Sequence, residues 1–301
     1  MTQISKDPPD RVGIIGVGNM GLAMASRLLG LGWPIAVRDI DPLREAMARS
    51  LGAQVCASPA TVAAGAACII VSVVDAQQVE AVLFDARDGV TSQPNKPSIV
   101  LCPTIAAEDT EGFARRLAAL DLPCIDAPMS GGPLRAREGQ MSLMVACDDA
   151  SFERHAELLN DLAQPVFRVG HRPGDGARTK LVNNLLAAIN LAGAAQALAL
   201  AERVGLDPTR TLDVIEQSSG QSWIGSDRMR RALTGDLAPH AHTSLLAKDA
   251  RLALRMALAC GFDASIGSAA AAVFNRACDN GLASLDDACL FALLRAPARS
   301  D

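Results

Sequence analysis

The chain has 301 residues, half of them hydrophobic by type, enough for one large or two medium domains with real cores. Its net charge is −5 with acidic and basic residues interspersed, and it has no tyrosine and few other aromatics. There is no basic stripe, which argues against a nucleic-acid partner. The opening MTQISKDPPD lacks the apolar core of a signal peptide and reads as a flexible leader over residues 1–10. Residues 12 to 18, VGIIGVG, then read as a short apolar strand running into Gly16, Gly18 and Gly21. In this G-x-G-x-x-G pattern the first glycine permits a tight turn and the second lets a pyrophosphate approach the backbone. The third lets the following helix pack close to the strand. That helix, LAMASRLLGLG, offers free N–H groups and a positive dipole end to a phosphate. A second strand, PIAVRD, ends at Asp39, where a carboxylate would meet an adenosine ribose.

Asp39 bears on cofactor choice. A carboxylate accepts from a ribose 2′-hydroxyl and repels a 2′-phosphate, by about 4 kcal/mol at ~4 Å and an effective dielectric of ~20. Arg38 competes, because a guanidinium can hold that phosphate. Strand alternation places the two on opposite faces. NAD is the expected cofactor, with NADP as the alternative. Asp41, before Pro42, suits the cap of the next helix.

The alternation continues with a helix at DPLREAMARSLG, a strand at AQVCA, a helix opening at Ser58-Pro59, and the strand ACIIVSV. A helix from Asp75, the strand SIVLC, a helix from about Ala106 and the strand CIDAP follow. QMSLMVAC, a helix at DDASFE and PVFRVG close the series. Such a βαβ series predicts an α/β fold whose N-terminal part, 11–175, is a doubly wound Rossmann-type sheet binding a dinucleotide. From about residue 176 the strand signal stops. Helices are expected at 178–204, 208–218, 223–233, 243–260, 264–278 and 285–294, an all-α C-terminal domain over 176–301 punctuated by glycines. The run LLAAINLAGAAQALALA, 185–201, reads as a fully buried helix rather than a membrane span. A site between the two domains is the expectation.

The eight cysteines form no C-x-x-C pair and no Cys/His group at zinc spacing, so no metal is expected. Apolar neighbours around Cys68, Cys102 and Cys260 suggest buried thiols in a reducing cytoplasm. GHRPGDGARTKLVNN, 170–184, places Lys180 near a helix start with Asn184 four residues on, on the same face. A lysine facing a core beside an amide is costly to keep there, and becomes useful if it handles a proton on a substrate oxygen. Taken alone it reads more readily as a surface lysine at a helix start.

With the glycine motif, the chain resembles the β-hydroxyacid dehydrogenases, which include 3-hydroxyisobutyrate dehydrogenase, tartronate semialdehyde reductase and L-threonate-type dehydrogenases. Four motifs in order carry the likeness: GIIGVGNMGLAMASRLL, DAPMSGGPLRAREGQMSLMV, GDGARTKLVNNLL and Lys248-Asp249 in LLAKDARLAL. The resemblance implies that Lys180 is catalytic and that Asn184 assists substrate binding. It also implies that Ser130, Gly131 and Gly132 bind the substrate carboxylate, the glycine pair forming an anion nest. Gly16, Val17, Gly18, Asn19, Met20, Gly21, Arg38, Asp39, Val74, Thr104 and Lys248 would hold the cofactor, and Thr104, Trp223 and Asp249 would line the substrate. Where the family usually shows Ser-Thr-Ile, this chain has Pro103-Thr104-Ile105, so whatever the serine contacts is lost here.

The implied reaction is NAD(P)-dependent hydride transfer at the hydroxyl carbon of a small β-hydroxyacid. Lys180 would take the hydroxyl proton, its pKa drawn down from ~10.4 by partial burial and the nicotinamide charge. Ser218, Ser219, Gln221 and Ser222 around Trp223 suggest a polar substrate such as L-threonate or glycerate/tartronate semialdehyde. A homodimer or homotetramer is expected, with neither nucleic acid nor membrane as a partner. An imine or ketone reductase on the same scaffold, or a non-catalytic dinucleotide-binding module, are the competing readings; Lys180 argues against both.

Overall fold

The computed structural model describes residues 10–236 and 239–296. The expected leader therefore lies, except for Asp10, outside the described residues. The chain divides into two compact units, Met1–Lys180 and Leu181–Asp301.

The first unit is a nine-stranded sheet clad by helices. In order come β1 (Val12–Ile15), α1 (Asn19–Gly30), β2 (Ile35–Arg38), α2 (Pro42–Ser50), β3 (Gln54–Val55), α3 (Pro59–Ala63), β4 (Cys68–Val71) and α4 (Ala76–Phe84). Next are β5 (Ser98–Leu101), α5 (Ala107–Ala118), β6 (Cys124–Asp126), β7 (Met129–Ser130), α6 (Gly132–Glu138), β8 (Ser142–Ala146), α7 (Asp149–Arg154), α8 (Ala156–Leu162) and β9 (Val166–Gly170). The strand order is β3-β2-β1-β4-β5-β6-β8-β7, with β9 against β8. From β3 to β6 every pairing is parallel. β8 runs antiparallel to β6 and β7, then parallel to β9.

Strand alternation explains why these runs are continuously apolar. Ile14, Ile70, Val100 and Ile125 enter one core with Met24 and Leu28 of α1. Their neighbours Ile15, Ile69, Ile99 and Cys124 enter a second core on the opposite face, with Val79, Leu83 and Phe113. A parallel sheet covered on both faces needs both sets. The order reverses at β1, which lies between β2 and β4, and such a switch point leaves a ligand crevice at the strands' carboxyl ends.

α9 (Asp175–Arg203) carries the division between units, between Lys180 and Leu181. Beyond it come α10 (Pro208–Glu216), α11 (Trp223–Thr234), α12 (Thr243–Ala259), α13 (Ser265–Ala277) and α14 (Leu290–Arg295). Their core gathers Leu191, Leu198, Met229, Phe274 and Leu290.

Five sequence expectations need correction. α6 is a helix that the series of expected elements leaves out between CIDAP and QMSLMVAC; Pro133 sits in its first turn and positive-φ glycines turn the chain at 131, 132 and 139. α9 starts at 175 rather than 178, for a reason given below. The 285–294 helix is a short 3₁₀ turn, Asp287–Cys289, followed by α14, since Asp286 caps the turn. Finally, α9 is not fully buried. It is long and apolar enough to cross a membrane by length and composition, yet Val182, Leu186 and Leu200 are exposed. Cys260 is exposed too, at the end of α12, where burial was expected; Cys68 and Cys102 are buried.

Asp286 is the polar hub of the second unit. It is fully buried. It accepts from the backbone N–H groups of His240 (2.8 Å), Ala241 (3.2 Å) and Ala288 (3.1 Å), and from Arg231 Nη1 (3.1 Å). Burial pushes its pKa up, but the backbone donors and Arg231 outweigh that and hold the carboxyl below its usual range. Asp286→Ala strands those donors and the Arg231 charge, and is expected to cost about 3–5 kcal/mol of stability, read by denaturant unfolding. Because the folded pKa is depressed, the carboxylate's contribution is complete above the unfolded pKa of ~3.9. It is lost as pH falls through the lower folded value.

Candidate active site

The glycine loop is built by close approach. Gly16 has φ of +88°, and a Cβ there would lie 2.5 Å from the Ser72 carbonyl oxygen. A Cβ on Gly21 would lie 1.9 Å from the Gly16 carbonyl oxygen, so only glycine lets α1 seat against the end of β1. Gly18 is different: a Cβ there would meet nothing within 4 Å. It caps α1 and, having no side chain, makes no cap hydrogen bond to that helix's first turn. Gly18, Asn19 and Met20 are partly exposed, whereas Val17 is buried. The open space over Gly18 and the uncapped donors fit a dinucleotide pyrophosphate.

Asp39 follows β2 and ties this loop down. Its Oδ2 accepts from the Val17 N–H at 2.6 Å and its Oδ1 from the Asp41 N–H at 2.9 Å. Asp41 in turn caps α2 through Leu43, as expected. Arg38 bends back to the carbonyl oxygen of Asp39 and to Glu45 Oε1 at 2.6 Å. Val74, which follows β4, is exposed, and its N–H donates to Gln78 Oε1 at 2.9 Å. Thr104 is half-buried between buried Pro103 and Ile105, in the segment from β5 to α5.

Ser130 ends β7, paired with Ser142 of β8, and is half-buried with Gly131 and Gly132. Gly131 (φ +126°) and Gly132 (φ +76°) turn the chain into α6. The stem of Arg135 lies beside Gly131, 3.3 Å from where a Cβ would be.

Sequence reasoning missed the residue that sets Lys180 in place. Asp126, the last residue of β6, is buried, and its Oδ2 accepts from Gly174 N–H at 2.7 Å and Ala177 N–H at 3.0 Å. These are donors that a helix start leaves without partners, which is why α9 begins at 175. Burial pushes the Asp126 pKa up to about 6, against the pull of the Ala177, Gly174 and Gly176 donors. Gly176 is required for this contact, because a Cβ would lie 2.6 Å from the Met144 carbonyl oxygen and 2.9 Å from the Asp126 carboxyl. Arg178 adds an ion pair to Glu111 of α5. Lys180 follows within one turn of Ala177 and is only 7% exposed. The available signal was the pairing of two quoted motifs, the aspartate of DAPMSGG with the second glycine of GDG.

In the second unit a polar chain runs through buried Asn184. Its Oδ1 accepts from Asn183 Nδ2 at 3.0 Å, and its Nδ2 donates to Asp249 Oδ2 at 2.6 Å. Asp249 Oδ1 lies 3.0 Å from Lys248 Nζ, an ionic contact. Trp223 opens α11, about half exposed. His240 and His242 belong to the loop held by Asp286 and Ser284. Among the described residues no group of His, Cys, Asp and Glu could hold a metal ion.

The sequence matches, over residues 11–170, the family model described as the NAD binding domain of 6-phosphogluconate dehydrogenase. Residues 174–294 match that for the NAD-binding domain of NADP-dependent 3-hydroxyisobutyrate dehydrogenase. L-threonate dehydrogenase of Escherichia coli K12 is 36% identical over 92% of both chains. The chain belongs to the β-hydroxyacid dehydrogenase family. Another β-hydroxyacid dehydrogenase relative is 2-hydroxy-3-oxopropionate reductase of the same strain, 32% identical over 93% of this chain and 95% of that one. The crystal structure of 3-hydroxyisobutyrate dehydrogenase from Salmonella typhimurium superposes with a TM-score of 0.88 at 32% identity, covering 95% of this chain and 100% of that chain. The protein is thus a nicotinamide-dependent hydroxyacid dehydrogenase.

Proposed function

We propose that the protein oxidises a small polyhydroxylated acid of the L-threonate type, with NAD preferred over NADP and Lys180 as the acid–base residue. The carrying observation is Lys180 itself, a buried lysine just past a helix start fixed by Asp126. The bound nicotinamide supplies the hydride acceptor. Lys180 Nζ, as the neutral amine, takes the proton of the hydroxyl being oxidised, and as the ammonium returns it in reduction. Asn184, oriented by Asp249, holds the hydroxyl in line. The Ser130 hydroxyl and the Gly131 and Gly132 N–H groups hold the substrate carboxylate. Thr104, Trp223 and Asp249 complete the substrate's surroundings. The Gly16–Gly21 loop takes the pyrophosphate, Asp39 the adenosine ribose, and Val74, Thr104 and Lys248 the rest of the cofactor.

The L-threonate class is supported by the name of a relative 36% identical, and by the polar run Ser218, Ser219, Gln221 and Ser222 before Trp223. NADH and NADPH formation is measured at alkaline pH from L-threonate, glycerate, 3-hydroxyisobutyrate and serine. The highest kcat/KM is expected with L-threonate and NAD⁺. Preference for 3-hydroxyisobutyrate overturns the substrate class, and activity with NADP⁺ alone overturns the cofactor choice.

We also read the protein as a cytoplasmic homo-oligomer that docks through α9. Val182 and Leu186 are one turn apart, and Leu200 lies about five turns beyond Val182, which returns it to the same face. All three are more than half exposed. The double variant Leu186→Glu/Leu200→Glu is expected to run as a monomer by light scattering; an unchanged mass places the interface elsewhere.

A further inference from the structure

Asp39 alone does not explain a preference for NAD, because Arg38 precedes it and a guanidinium at the end of β2 is well suited to a 2′-phosphate. Glu45, in the first turn of α2, decides where that guanidinium goes. One oxygen, Oε1, accepts from Arg38 Nη1 at 2.6 Å and from the Asp39 N–H at 3.2 Å. Both side chains are shielded, Arg38 29% exposed and Glu45 15%. The same nitrogen, Nη1, also donates to the Asp39 carbonyl oxygen.

We propose that Glu45 is a specificity-determining residue for the cofactor, acting by holding Arg38 against α2 and away from the ribose 2′-position. With Arg38 neutralised, the group left facing the ribose is the Asp39 carboxylate, whose oxygens each keep acceptor capacity beyond their bonds to Val17 and Asp41. The inference rests on the reading that the enzyme prefers NAD.

Glu45→Gln tests it. Glutamine keeps an oxygen for the Asp39 N–H and removes the charge that retains Arg38. Binding of ADP-ribose and of 2′-phospho-ADP-ribose is measured by titration calorimetry, so the readout does not depend on turnover. The variant is expected to bind the 2′-phosphorylated ligand about tenfold more tightly than the parent does, the scale of a charge-assisted pair, with ADP-ribose unchanged. In Arg38→Ala/Glu45→Gln the gain should vanish. No gain in Glu45→Gln, or an equal gain in the double variant, overturns the role given to Glu45. A parent that already binds the 2′-phosphorylated ligand more tightly overturns the NAD preference itself.

Discussion

Lys180→Ala is expected to lower kcat/KM by about 10²–10⁴-fold, the range for a positioned acid–base group, while the affinity for NADH stays within about twofold, as Lys180 is not assigned to the cofactor. The lysine is 7% exposed. Lys180→Met, which keeps the length of the side chain but has no titratable group, should be equally inactive. Near-normal turnover in either variant would remove Lys180 from the mechanism.

The second large effect comes from a residue with no side chain. Gly176→Ala places a methyl group 2.6 Å from the Met144 carbonyl oxygen and 2.9 Å from the Asp126 carboxyl. Neither neighbour can yield: one is backbone of β8, and the other is held by two N–H groups of the helix that would move. The first turn of α9 must therefore lift, carrying Lys180 with it. Overpacking of this kind costs about 1–3 kcal/mol, and a displacement of ~1 Å at a reacting group can cost about 10²-fold in rate. The expected result is a folded enzyme with kcat reduced about a hundredfold and a lowered melting temperature. Gly112→Ala is the control. It lies mid-helix in α5 with nothing closer than 4.0 Å to a new Cβ, so alanine should stabilise by up to about 1 kcal/mol without touching turnover. Equal behaviour of the two variants would refute the Gly176 account.

The parts of this molecule legible in the sequence are those governed by local rules. Gly21 is dictated by the strand–turn–helix contact, and Asp41-Pro42 announces the start of α2. The sheet follows from apolar runs at regular spacing. What escaped depends on partners distant in the chain. The start of α9 was placed late because its cap, Asp126, lies 48 residues before Gly174. α6 was missed because positive-φ glycines resemble a plain turn until Pro133 is seen inside a helix. The apolar α9 suggested full burial, since composition does not tell which of its apolar positions stay exposed. For the candidate site, residue types and order were readable, but not that Arg38 is committed to Glu45, nor that Asn184 is held by Asp249.

The bond from the Val17 N–H to Asp39 constrains anyone who would redesign this enzyme for another coenzyme. The obvious edit, exchanging Asp39 for a small neutral residue, would remove a negative charge and a brace of the glycine loop in one stroke. Such a variant would be expected to lose grip on both nicotinamide dinucleotides. A change of preference is better sought in the residues around the brace than in the brace itself.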